Sequence, residues 1–512
     1  MNAIRASLVA QRARHLGPRM LSSSSSTAPR RPDRTRASPQ GNIGPSALSA
    51  HQVFAPLAKN RPVFKISKPI TVIREPQQFY RDLLHGIKHA RRRICLSSLY
   101  IGSDETQLIS ALDRALEQNP ALQLCVLLDC LRGTRTDATG MSSAALLSPL
   151  VARFGAERVQ VAMYHTPALS GLSKQAWPQR YNEAFGLQHI KAYVFDDEVI
   201  VSGANLSRDY FTNRQDRYMR IPDRQFTDYF AGLIATISQF SFRVLADDRA
   251  SRYRLQMAPS VADPTREPRA FIREANERMA EFLQRAELEH AVEAGAVSEH
   301  DTLAIPTVQM RQLGITQDEA HMAEFFDLVN TFARSHGCRS LMASAYFNFS
   351  DQYKRSVLDS ASRWDLLVAS PQANGFYTAK GISQFIPDMY SIIEHEFVRA
   401  ASARARGDIS IEEYARAGWT FHGKGVWCYL NQKLPQLTMI GSPNYGYRSI
   451  YRDLEAQVTV ILGSAPLQTD IHQEALGLLS HSKIVSQDEL QQRARGSPLW
   501  LHGLKPFIMK KM

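Results

Sequence analysis

The residues best suited to chemistry are two histidine–lysine pairs. His189 and Lys191 stand in QHIKAYVFDDEVIVSGAN, and His422 and Lys424 in FHGKGVWCYLNQKLPQLTMIGSPN, 233 residues later. After each pair comes a turn of small residues ending in an asparagine, Asn205 or Asn444. Eleven residues past each asparagine stands an acid, Asp216 or Glu455. In an extended chain residues i and i+2 project to one face, so each histidine points the same way as its lysine. Two such copies brought face to face combine two imidazoles, two ammonium groups and two carboxamides. That set suits a phosphodiester. Lysines and amides hold the nonbridging oxygens and stabilise the transition state. One imidazole attacks phosphorus; the other protonates the leaving oxygen and then deprotonates the incoming one. Asp216 and Glu455 are suited to orient the imidazoles and fix their tautomers. A lone H-x-K is more often a surface accident, and the duplication carries the expectation. A zinc site is disfavoured, because the spacing is not H-x-H and a lysine ammonium repels a cation. No G-x4-G-K-[ST] phosphate loop occurs. Neither metal nor other cofactor is expected.

The elements that must position these pairs also repeat. RRICLSSLYIG reads as a strand, DETQLISALDRALEQ as a helix and ALQLCVLLDC as a continuous apolar strand buried on both faces. LRGTRTDATGMSS is a polar loop, and a further helix near 143–153 and the strand RVQVAMYHT follow. Residues 78–92 fit an amphipathic helix before all of these. Alternation of strands and helices means an α/β fold. The order returns at CRSLMASAYFNFS, DQYKRSVLDSAS and WDLLVASPQANGF. Residues 245–320, rich in Arg, Glu and Ala, fit helices with a break at PSVADPTREP.

The bulk composition excludes little and locates much. The chain has 512 residues and a net charge of +12, room for two or more domains. Residues 1–36 hold eight arginines and one acid, so +7 of that charge is local, which weakens a nucleic-acid reading. This arginine- and serine-rich, acid-poor segment has the composition of a mitochondrial transit peptide and lacks the apolar core of a secretory signal. The five cysteines form no CxxC pair and read as reduced, buried thiols. No run of the ~18 apolar residues that a spanning helix needs is present, so any membrane contact is expected to be peripheral.

The stretches QHIKAYVFDDEVIVSGANLSRDYFTNRQDRY, FHGKGVWCYL and IGSPNYGYRSIYRDLEAQ, supported by LYIGSDETQLI and LDCLRGTR, resemble the phospholipase D superfamily, whose signature is H-x-K-x4-D with a following G-S-x-N. Within it the chain is most similar to the mitochondrial phosphatidylglycerophosphate synthases, over roughly residues 55–465. The resemblance implies two homologous α/β/α sandwich domains with pseudo-twofold symmetry. It implies catalytic roles for His189, Lys191, Asp196, His422 and Lys424. The pattern is broken where Tyr429 replaces an aspartate and Gly203 a serine; the fuller first copy favours His189 as nucleophile and His422 as general acid and base. The implied reaction transfers the phosphatidyl group of CDP-diacylglycerol to glycerol-3-phosphate, releasing CMP, at the matrix face of the mitochondrial inner membrane. Alternatives are a serine-using phosphatidyltransferase, a phosphodiesterase, or a lipid-binding protein without catalysis.

An acceptor with its own phosphate needs further cations. Arg448 and Arg452 follow Asn444 closely, Arg214 and Arg217 sit similarly in the first half, and Arg132 and Arg135 lie on a loop at a strand's carboxyl end, where α/β sites gather. Arginine suits bidentate phosphate binding. Together with Asn205, Asn444, Asp216 and Glu455, the residues Arg448, Arg452, Arg132 and Arg135 form the expected substrate-binding set. Residues 375–397 and the C-terminal PLWLHGLKPFIMKKM mix aromatics, aliphatics and lysines, a composition suited to a bilayer interface. The expected organisation is a transit segment over 1–45, a first domain over 46–244, a helical connector over 245–325, a second domain over 326–485 and a tail over 486–512.

Overall fold

The apolar run ALQLCVLLDC becomes the strand Gln123–Asp129, which needs cover on both faces and has parallel neighbours, Arg93–Ser97 and Val159–Tyr164, on its two sides. The computed structural model describes residues 48–170, 182–247, 253–291, 297–430, 432–498, 500–503 and 505. The expected transit segment and residues 506–512 lie outside these.

Helices Thr106–Gln118 and Ser143–Phe154 make the crossovers between the parallel strands. Antiparallel strands extend the sheet from Arg93–Ser97 through Ala192–Phe195, Glu198–Ser202 and Tyr218–Ile221 to Thr71–Ile73. On the other edge lie Phe242–Ala246 and Tyr253–Gln256. The second sheet repeats this order. Arg339–Ala343, Arg363–Ala369 and Ile409–Tyr414 are its parallel trio. Gly425–Tyr429, Leu437–Gly441, Glu455–Ile461 and Thr302–Met310 continue it antiparallel.

The layers follow from which faces are apolar. Outer helices Pro76–His89, Thr106–Gln118 and Ser143–Phe154 cover the first sheet through Phe79, Leu83, Leu108, Leu112 and Leu147. Helices Gln317–His336 and Ile386–Ala403 cover the second through Phe325, Phe326, Ile393 and Phe397. Between the sheets one continuous core joins Val201 and Met219 of the first to Trp427, Ile440 and Val458 of the second. Helices Arg224–Gln239, Pro268–Glu289 and Ala465–Ser480 contribute to that core.

Two segments differ from the sequence reading. The 245–325 stretch is not purely helical: it holds half of a β-hairpin, the helix Pro268–Glu289 and the strand Thr302–Met310, buried along its whole length. That strand occupies the place of Thr71–Ile73 in the first sheet, so the second copy opens at Thr302, upstream of residue 326. Composition masked it, because a short apolar run is flanked by charged helices. Residues 50–66 precede the first copy in sequence yet pack on the second: Phe54 and Leu57 enter its core, and Phe64–Ile66 pairs with Thr302–Ala304.

Candidate active site

Neither catalytic-type histidine lies within a strand of its own sheet. Each sits on an extended lead-in that crosses to the other copy. Gln188 bridges to Leu454, and the His189 amide donates to the Leu454 carbonyl at 2.8 Å. Thr420–Phe421 pairs with Arg214–Gln215, and the His422 amide donates to the Gln215 carbonyl at 2.7 Å. In both cases the accepting residue directly precedes an acid, Glu455 or Asp216. The backbone therefore delivers each imidazole to the acid of the opposite copy.

His189 Nδ1 lies 3.0 and 3.1 Å from the two carboxylate oxygens of Glu455. His422 Nδ1 lies 2.6 Å from Asp216 Oδ2. All four side chains are buried, the histidines at 8% and 5% exposure. The opposite-copy carboxylates sit at Nδ1 of both rings, an arrangement that suits Nε2 as the reactive nitrogen; at His422 the Lys424 ammonium also lies 2.7 Å from Nδ1 and 3.4 Å from Nε2. Ser442 donates to Glu455. Its counterpart in the first copy is Gly203, and a Cβ there would stand 2.6 Å from Asp216 Oδ1 and 2.7 Å from Lys424 Cδ. The departure from G-S-x-N thus has a steric cause. Asp216 takes its extra bond from the Arg217 amide instead, at 2.8 Å.

Lys191 and Lys424 each donate to the carbonyl of their own histidine at 2.7 Å. Burial, followed by the neighbouring lysine, holds both histidines well below the usual imidazole range. Each histidine also feels the lysine of the other copy, so both pairs share one electrostatic pocket. Burial lowers Lys191 to about 7 and Lys424 to about 8 against the pull of the carboxylates. Burial raises Glu455 to about 7 and Asp216 to about 6, opposed by the lysines. Neutral imidazoles beside cationic lysines suit nucleophilic attack on an anionic phosphodiester.

The two halves are not equivalent. The Tyr210 hydroxyl lies 3.4 Å from His422 Nε2 and accepts from Asn205 Nδ2 at 3.0 Å. Its counterpart five residues past Asn444 is Ser449, whose hydroxyl accepts from the Asn444 amide at 2.9 Å. Tyr346 stands edge-on to His422, its centroid 6.2 Å away. Among the described residues, no hydrogen bond engages His189 Nε2. Tyr210 was not anticipated; its signal is the unequal residue at matching distance from the two asparagines.

Asp196 is elsewhere. It sits at the hairpin turn with φ 51° and accepts from the amides of Arg91, Arg92 and Arg93 at 2.7–3.1 Å. Five residues of extended chain, about 16 Å, separate it from Lys191. Its place at the turn gives it a bracing role, and the Asp196/Tyr429 inequality says nothing about which histidine is the nucleophile. Tyr429 stacks with the Arg339 guanidinium at 5.3 Å on its own strand pair. Arg217 is likewise structural: it is fully buried, paired with Glu474 and stacked on Trp427. Arg214 lines the His422 side, stacked on Tyr210 and 3.2 Å from Asp209.

Arg132, Arg135, Arg448 and Arg452 converge on one short segment. Arg135 Nη1 donates to Glu183 at 2.6 Å, and Arg132 Nη1 lies 3.4 Å from the same carboxylate. Arg448 donates to the Glu183 carbonyl at 3.1 Å and to Asp453 at 2.9 Å; Arg452 donates to the Ala184 carbonyl. The segment runs directly into His189. The Leu187 amide donates to Asp453 and the Gln188 amide to Asp129, each at 3.0 Å. Asp129 also caps the short helix carrying Arg132.

Among the described residues there is no His/Cys/Asp/Glu group that could hold a metal ion, and no helix is long and apolar enough to cross a membrane. Phe385 and Trp500, from the two segments suited to a bilayer interface, pack edge to face at 5.0 Å. Tyr377 and Trp500 are 54% and 45% exposed. Phe376, next to Tyr377 in the chain, lies tilted against Tyr346 at 5.9 Å, and Tyr346 stands edge-on to His422.

No family model matches the chain. Curated relatives do. The mitochondrial CDP-diacylglycerol–glycerol-3-phosphate 3-phosphatidyltransferase of Gallus gallus is 37% identical over 482 residues, 87% of this chain and 84% of the relative. The Homo sapiens protein of that name is 36% identical over the same shares. The Saccharomyces cerevisiae protein is 36% identical over 83% of this chain and 84% of its own. Among solved structures, a phosphatidylserine synthase of Haemophilus influenzae superposes with a TM-score of 0.64 over 90% of this chain and all of that one, at 16% identity, a likeness of fold. By these relatives, on a phospholipase D-like fold, the chain belongs to the CDP-diacylglycerol–glycerol-3-phosphate 3-phosphatidyltransferase family.

Proposed function

We propose that the chain performs its family's phosphatidyl transfer through a covalent intermediate on His189, in mitochondrial phosphatidylglycerol and cardiolipin synthesis. The donor is CDP-diacylglycerol. His189 Nε2 attacks its phosphatidyl phosphorus; an N–P bond forms, the bond from phosphorus to the CMP oxygen breaks, and CMP leaves. The 1-hydroxyl of glycerol-3-phosphate then attacks phosphorus, its proton passes to His422 Nε2, the N–P bond breaks, and phosphatidylglycerophosphate departs. Lys191 and Lys424 hold the charge on the nonbridging oxygens.

The observation that carries this assignment is the crosswise pairing, in which Glu455 holds His189 Nδ1 while its Nε2 stays open. His422 Nε2, in contrast, faces the Tyr210 hydroxyl, a suitable arrangement for relaying a proton. CMP is a phosphate leaving group and needs less protonation than an alkoxide, so the first step leans on the nucleophile. Rapid quenching with donor labelled in its phosphatidyl group should place label on His189; label on His422 alone would reverse the roles.

Arg132, Arg135, Arg448 and Arg452 supply the cations for the acceptor's own phosphate. Serine, the competing acceptor, brings one carboxylate rather than a dianion and suits this cluster less well. A panel of water, serine, glycerol and glycerol-3-phosphate decides: glycerol-3-phosphate should be preferred, and equal use of serine would refute the assignment. The surface of Tyr377, Phe385 and Trp500 meets the matrix face of the inner membrane peripherally, and the aromatic rings behind it guide the lipid toward His422. Nucleic acid has no part in this reading.

A further inference from the structure

Four guanidiniums and two carboxylates, Glu183 and Asp453, meet beside the catalytic lead-in. A third nearby acid, Asp129, is raised by burial to about 8 and carries little charge near neutrality. With Glu183 in place two positive charges are left over, and with Glu183 displaced three, enough to balance a phosphate monoester dianion. Among the described residues, the only side chain spanning two of the arginines is Glu183, at 17% side-chain exposure, with Arg135 at 2.6 Å and Arg132 at 3.4–3.5 Å. A carboxylate forked between two arginines occupies the position that a phosphate takes in such a fork.

We infer that Glu183 fills the acceptor-phosphate subsite in the free enzyme, and that the phosphomonoester dianion of the acceptor displaces it. This rests on the reading that the four arginines bind that phosphate. The exchange lets a cluster of like charges stay assembled without ligand. A phosphate brings two charges and three acceptor oxygens where Glu183 brings one charge and two, so it competes for the same donors. Neutral glycerol or water cannot make the exchange, and Glu183 then stays in place.

The geometry also ties the exchange to the nucleophile. Glu183 stands six positions before His189, and Gly186 lies between them with φ 143°. A Cβ at Gly186 would stand 2.6 Å from both the Arg452 carbonyl oxygen and Gln312 Nε2, so the chain pivots at a residue held tightly in place. Beyond it, the Leu187 and Gln188 amides are pinned by Asp453 and Asp129. Glu183 can therefore swing out while His189 keeps its position.

The test uses the full chain in mixed micelles with CDP-diacylglycerol. It measures KM for glycerol-3-phosphate and for the donor, and inhibition by inorganic phosphate. Glu183→Gln should tighten phosphate inhibition and lower acceptor KM about tenfold, since it removes a negative charge a few ångströms from the dianion. Donor KM should hold. Glu183→Asp, which keeps the charge on a shorter arm, should fall between and guards against misfolding of the first variant. A raised or unchanged acceptor KM in both variants overturns the inference, because Glu183 then only braces the arginines. A changed donor KM alone also overturns it, assigning the fork to the donor's pyrophosphate. Arg135→Lys separates the underlying reading: if it leaves acceptor KM untouched, the arginines are not the acceptor subsite at all.

Discussion

Replacing Glu455 by glutamine should slow the loading of His189 and spare the second half-reaction. Glu455 is fully buried, both its oxygens lie within 3.1 Å of His189 Nδ1, and it also accepts from Ser442. A hydrogen bond to a charged acceptor contributes about 1.5–3 kcal/mol against about 0.5–1.5 for a neutral one. Glutamine keeps the shape and loses the charge, a difference of about 1–2 kcal/mol. At about 1.36 kcal/mol per factor of ten, loading should fall roughly 5- to 30-fold. If the amide nitrogen instead faces His189, it donates to Nδ1, drives the proton to Nε2 and removes the attacking lone pair. The loss then approaches the ~10⁴-fold known for an inverted histidine tautomer. The assay is rapid quench, following the CMP burst and the labelled histidine. Asp216→Asn is the mirror experiment: the burst should survive and resolution by glycerol-3-phosphate should slow. An undiminished burst in Glu455→Gln with slowed turnover would refute the crosswise assignment.

Activity should follow a narrow bell between about pH 6 and 8: Asp216 and Glu455, raised by burial to about 6 and 7, are charged only above those values. Lys424 and Lys191, lowered by burial to about 8 and 7, lose their charge above theirs. A kcat/KM profile checks this: Glu455, the higher of the two carboxylates, sets the acid limb near 7, so Asp216→Asn should leave that limb in place and Glu455→Gln should move it toward 6. Asp196→Ala should cost about 1–2 kcal/mol of stability by freeing three amides while the folded enzyme keeps its kcat, as thermal melts and turnover at low temperature will tell. Gly203→Ser, which restores the superfamily pattern, should instead lower both, with overpacking costing about 1–3 kcal/mol, because the new side chain meets Asp216 and Lys424. Trp500→Ser and Tyr377→Ser should each weaken binding to anionic vesicles by roughly 1–2 kcal/mol without changing turnover of detergent-dispersed donor.

Much of the site is legible in the chain itself. The H-x-K spacing, its recurrence with Asn205 and Asn444, and the acids eleven residues on are one-dimensional facts. Strand periodicity turns them into side chains facing one pocket. The apolar run at 122–130 announces a central strand for the same reason, since a strand buried on both faces has no polar side to show. Other features depend on which strands become neighbours. Asp196 matches the signature by spacing, yet a turn carries it to the far end of its strand. Thr302–Met310 is hidden by its charged flanks until Glu455–Ile461 pairs with it. The four arginines form two close pairs that stand far apart in the chain, and only the fold gathers both pairs on Glu183 and Ala184. Which acid serves which histidine is the clearest case. Spacing leaves the pairing open, although Asp216 follows His189 in its own copy and Glu455 follows His422 in the other. The two sheets instead exchange lead-in strands, and the amides of His189 and His422 bond to Leu454 and Gln215. A backbone hydrogen bond between copies costs no sequence signal, so only the tertiary structure decides the exchange.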